Sequence, residues 1–65
     1  MKLFVWRNVL TDYTSGMMVA IAENVVEARQ QLLAECPYIP SYDLAEEPDV
    51  YDTDKPFADM VWGGG

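Results

Sequence analysis

Apolar and polar positions alternate along the opening stretch "KLFVWRNV", Lys2 to Val9, with Leu3, Val5 and Arg7 on one side and Lys2, Phe4 and Trp6 on the other. That period of two, carried by β-branched and aromatic residues, predicts a strand. "LTDYTSG", Leu10 to Gly16, then gathers turn formers: short side chains that bond nearby backbone, and a glycine that accepts positive φ. Alternation resumes in "MMVAIAE", where Met17, Val19 and Ile21 oppose Met18, Ala20 and Ala22. A connection of this length predicts an antiparallel hairpin.

At Asn24 the period becomes helical. Asn24 stands where an N-cap belongs and Glu27 follows three residues later, the spacing of a capping box. Val25, Ala28, Leu32 and Cys36 recur on one face, widened by Leu33, while Glu27, Arg29, Gln30, Gln31 and Glu35 are mostly left for solvent. Pro37 ends this helix. In "PYIPSYDLAEEP" Ser41 is placed to cap a short helical turn that Pro48 stops. The last strand is expected at "FADMVW", Phe57 to Trp62, with "DVYD", Asp49 to Asp52, as an extended lead-in. The order β-β-α-(short α)-β predicts one small α+β domain over residues 1–62, a three-stranded sheet with one helix packed on one face, and a flexible glycine tail at 63–65. A parallel crossover would set the third strand beside the second or across the first.

Length and composition narrow the classes. Sixty-five residues make a single domain near the lower limit for a self-sufficient core. With 51% hydrophobic residues and eight aromatics the chain is expected to fold. Cys36 is the only cysteine, so no internal disulfide asks for an oxidising compartment, and it reads as a small core residue at the end of the helical stripe. No signal peptide or spanning segment is evident, and a cytosolic location is expected. The absence of histidine removes the usual base for a serine or cysteine nucleophile, so no enzyme and no cofactor are expected. Asp49, Asp52 and Asp54 offer oxygen ligands, but without the glycine and closing glutamate of an EF-hand loop, and no metal site is expected.

Charge changes the picture most. The net charge of −7 is unevenly spread along the chain: Asp43 to Asp59 holds seven acids against Lys55 alone, while the first 42 residues are nearly balanced. With a sequence pI near 4.1, direct binding to nucleic acid or an anionic membrane is not expected, because both demand lysine and arginine. The expected partner is basic. Asp43, Glu46, Glu47, Asp49, Asp52, Asp54 and Asp59, with Tyr51 and Tyr42 among them, form the candidate partner-binding surface. Carboxylates two apart on extended chain lie about 6–7 Å apart on one side, of the order of phosphate spacing. A groove built for DNA would accept them by the same electrostatics. The plainer reading is that they keep a small apolar protein soluble.

The segments "VWRNVLTDYTSGMMVAIAE", "NVVEARQQLLAE" and "FADMVWGGG" resemble a group of very small proteins carried by phages and prophages, most specifically in Asp12, Tyr13, Thr14, Gly16 and Gly63 to Gly65. Acidic, non-catalytic phage proteins of this size are similar to anti-CRISPR inhibitors, several of which act as DNA mimics on the surveillance complex. What the resemblance implies is an inhibitor in the bacterial host's cytoplasm that blocks a basic DNA-binding protein, such as the large subunit of a Cascade complex, where it reads the PAM; a monomer is expected rather than a homodimer. It carries over no site residue. The alternative expectation is a homodimeric or scaffold-like interaction module, whose sheet face, bearing Trp6 and Trp62, makes the contact.

Overall fold

The computed structural model describes residues 1–12 and 14–61. Five elements follow in the expected order: β1 (Lys2–Asp12), β2 (Thr14–Ala22), α1 (Val25–Glu35), α2 (Ser41–Leu44) and β3 (Asp49–Asp52). The sheet order is β2-β1-β3, with β1 antiparallel to both neighbours. β2 and β3 thus run in the same direction with β1 between them, the arrangement in which the third strand crosses the first.

The hairpin is longer than the turn residues suggest, and its register is interrupted. β1 continues to Asp12 and β2 begins at Thr14. The ladder pairs Trp6 with Met18 and Arg7 with Met17, then slips, because Val9 pairs with Gly16 and Asp12 with Thr14. Two residues of β1 have no counterpart in β2, and Asn8 (φ 58°) and Leu10 (φ 53°) take left-handed backbone there, as bulges in antiparallel pairs do. Asparagine tolerates that conformation, whereas leucine is strained in it. Gly16 is required opposite: a Cβ would sit 3.0 Å from the Val9 carbonyl oxygen and 3.1 Å from Leu10 Cβ.

Phe4, Trp6, Val9, Met18, Ala22 and Ala28 form the core between sheet and helix, with Val25, Leu32, Ile39 and Leu44 packed around it. α1 rides on β2. Asn24 Oδ1 accepts from the Glu27 amide at 2.9 Å, and Glu27 Oε1 accepts in return from Glu23 N–H at 3.2 Å. The helix ends at Glu35: Cys36 is already extended (φ −141°, ψ 97°) and its side chain lies in solvent. The expectation of a core cysteine fails because the chain leaves the helix one residue before the stripe would have buried it. Leu33 is exposed as well. Ser41 is the first residue of α2, whose capping group is the Pro40 carbonyl, accepting from Asp43 and Leu44 N–H at 3.1 Å each.

The third strand is Asp49–Asp52, not Phe57–Trp62. Val50 pairs with Phe4 and Tyr51 with Leu3, and no strand includes residues 57–61; Trp62 and the glycine tail lie outside the described residues. After a turn at Thr53–Lys55 and Pro56, the chain returns across the sheet face opposite the helix. There Phe57 packs on Tyr51, ring centroids 4.5 Å apart, and Asp59 reaches Arg7. The alternation of Phe57 and Asp59 is real, but its inner side meets a sheet face and not a neighbouring strand.

Candidate functional site

β3 and the segment leading to it are tied to the body of the protein by three of its four basic residues, Lys2, Arg7 and Arg29, and Lys55 adds a local pair. Lys2 Nζ reaches Asp52 Oδ1 at 2.7 Å, and Lys55 Nζ approaches Asp52 Oδ2 at 3.6 Å. Arg7 lies between two acids, bonding Asp49 through Nη1 and Asp59 through Nε, the latter at 2.8 Å, with its guanidinium 5.6 Å from the Tyr51 ring centre. Arg29 Nε donates to the Leu44 carbonyl at 2.9 Å and Nη2 to the Glu46 carbonyl at 3.3 Å. That same Glu46 carbonyl accepts the Trp6 indole N–H at 2.7 Å. The Lys2 ammonium pulls the Asp52 carboxyl below its ordinary 3.8, and Asp52 in turn raises Lys2 above 10.5. Asp59 is lowered first by the Met60 amide and then by Arg7.

These contacts reduce the charge asymmetry read along the chain. Of the seven acids of Asp43 to Asp59, three (Asp49, Asp52 and Asp59) pair with Lys2, Arg7 and Lys55, while Arg29 bonds backbone carbonyls of the same stretch. Counting all four bases against the seven acids leaves −3, and the other −4 belongs to Asp12, Glu23, Glu27 and Glu35. Much of the negative segment faces the protein's own bases. Asp43 is buried (8% exposed) and accepts the Leu10 amide at 3.2 Å, so its carboxylate is used internally. Tyr51 is half-buried between Arg7 and Phe57, whereas Tyr42 stands in solvent. Glu46, Glu47 and Asp54 are exposed and form no ion pair among the described residues. The phosphate-like ladder is broken too: Asp49 shares the Arg7 face, Asp52 lies on the other face with Lys2, and Asp52 and Asp54 are separated by a turn.

The two sheet edges differ sharply. β3 is four residues long with Asp49 and Asp52 at its ends. β2 is nine residues, "TSGMMVAIA", with no ionisable side chain and no proline. Alternate N–H and C=O groups of such an edge strand point away from the sheet. Of its side chains, Met18 and Ala22 enter the core, while Val19 (48% exposed) and Ile21 (56% exposed) emerge on the opposite face. The returning segment covers only part of that face: Met60 and Val61 border a shallow depression with Arg7, Gly16 and Met17. Val5, on β1 between Val19 and Asp49, is 1% exposed; Trp6, on the helix side, is equally buried. A sheet-face contact made by Trp6 is therefore closed, and the apolar side chains open on the second face include Val19 and Ile21. The ion pairs join residues about fifty positions apart and leave no local signal in the chain, and an uncharged run does not by itself show that it forms an edge.

Among the described residues no cluster of His, Cys, Asp or Glu is grouped to hold a metal ion, and no helix is long and apolar enough to cross a membrane. Comparison with protein-family models, curated proteins and solved structures finds no match for this chain.

Proposed function

We propose that this protein is a non-catalytic interaction module that makes contact through the β2 side of its sheet. The observation that carries this is the edge itself: nine uncharged residues whose outer side meets no further strand among the described residues, and which include the exposed Val19 and Ile21. An edge of that length ordinarily carries a lysine, a proline or a cover. With neither lysine nor proline within Thr14–Ala22, it suits β-augmentation, in which main-chain hydrogen bonds supply affinity and alternate side chains supply selectivity.

A second use of the surface is supported by Glu46, Glu47 and Asp54. Together with Asp49 and Asp52, whose exposed ion pairs are individually weak, they give the β3 edge carboxylates on both faces of the sheet. Such a wedge suits a groove with basic walls, and the inhibitor of a CRISPR effector implied by the sequence resemblance would work in this way. Capture from bacterial extract by three proteins separates the two. If β2 makes the contact, Val19→Lys loses the captured partner and the Glu46→Lys, Glu47→Lys, Asp54→Lys triple variant keeps it. If the acids make it, the outcome reverses, and the triple variant also fails to displace duplex DNA from a guide-loaded Cascade complex. Asp49 and Asp52 are poor choices for this test, because reversing them breaks the pairs that hold β3 to β1.

A further inference from the structure

We infer that the partner of the β2 edge is a second copy of this chain, joined by antiparallel β2–β2 pairing into one six-stranded sheet; this rests on the interaction-module function above. It departs from the monomer expected from the sequence.

The two edges of the sheet treat a second copy differently. Antiparallel self-pairing of β3 keeps like faces together, so centring it on Val50 sets Asp49 opposite Tyr51, and centring it on Tyr51 sets Asp52 opposite Val50. Charged residues at both ends of so short a strand blunt this edge against pairing. Self-pairing of β2 about its midpoint, Met18, sets Met17 opposite Val19 and Gly16 opposite Ala20. No ionisable side chain falls within the paired strand; on the open face Met17 meets Val19, and Ser15 meets Ile21. Two chains of the same net charge repel, and the longest uncharged stretch of backbone in the sheet is where that repulsion is least costly to overcome. An acidic or basic partner strand would find no complementary charge there, whereas a copy of the strand matches it in length and polarity. Six strands is an ordinary sheet size, and three is close to the minimum for independent stability.

Sedimentation equilibrium of the full chain from about 1 µM to about 1 mM tests this. The expected result is a dimer that Val19→Lys and, separately, Ile21→Lys convert to monomer with the circular dichroism spectrum unchanged. A dimer that survives both substitutions overturns the inference, since it must use another surface. A monomer throughout whose outward β2 amides exchange freely also overturns it, but leaves the edge open for a different partner. A monomer whose outward β2 amides are protected overturns both the self-pairing and the interaction-module function, because the edge is then already covered.

Discussion

The indole N–H of Trp6 donates to the backbone carbonyl of Glu46 at 2.7 Å, across forty residues, while the ring itself is 1% exposed. A core residue of the central strand thus fixes where the segment between α2 and β3 runs. Trp6→Phe keeps an aromatic ring in the core and removes the donor. The expected cost is about 1 kcal/mol for the hydrogen bond and about 1–2 kcal/mol for the lost volume. For a domain of this size that lowers the melting temperature by roughly 10 °C or more, and the Glu47 amide resonance should shift with it. An unchanged melting temperature would mean the bond does not hold this segment.

Asp43 makes a second such tie, from α2 to the strained bulge of β1. Its carboxylate accepts the N–H of Leu10, a leucine held at positive φ. Asp43→Ala leaves that amide without its partner and should cost about 1–3 kcal/mol. Asp43→Asn retains an acceptor and should lie close to the wild type in urea denaturation. Equal losses in the two variants would show that the charge, and not the hydrogen bond, is what matters.

The extent to which this fold was legible follows from how local each signal is. Asn24 and Glu27 specify a cap within four residues, and the helix starts where they place it. The hairpin strands were visible because Phe4, Trp6, Met18 and Ala22 alternate with residues of the other face. β3 was not, because two of its four residues are aspartates, poor strand formers in isolation; Lys2 and Arg7, at the far end of the chain, make them acceptable there. Phe57 and Asp59 alternate as a strand would, and only the position of Tyr51 and Arg7 decides that they cover a face. The acidic segment differs between sequence and space for a related reason: charge summed along sequence takes no account of bases folded against it. Fold class needed the local patterns, whereas the site needed the pairings.

Stability should be flat through neutral pH and fall at both extremes, for reasons that can be separated. Asp52 and Asp59 have folded pKa values lowered from 3.8, so their contribution is present above 3.8 and is lost as pH falls through the lower folded values. Lys2 is raised from 10.5; its contribution is complete below 10.5 and is lost as pH rises through the higher folded value. Lys2→Met should remove the alkaline fall assigned to this pair and reduce the acid one, leaving the Asp59 part in place. Urea midpoints across pH check this, and a Lys2→Met profile parallel to the wild type at both ends would rule the pairing out.

Salt dependence of self-association puts the use of the uncharged strand to its most direct test. Sedimentation equilibrium between about 50 and about 500 mM salt takes the Debye length from above 10 Å to well below it. Contact through β2 buries backbone edge and the apolar Met17, Val19 and Ile21, none of which is screened, while repulsion between two chains of charge −7 is. The dimer should therefore hold its affinity or tighten as salt rises. An association that weakens steeply over the same range, as carboxylates held by basic groups would, or no association at any salt, would contradict it.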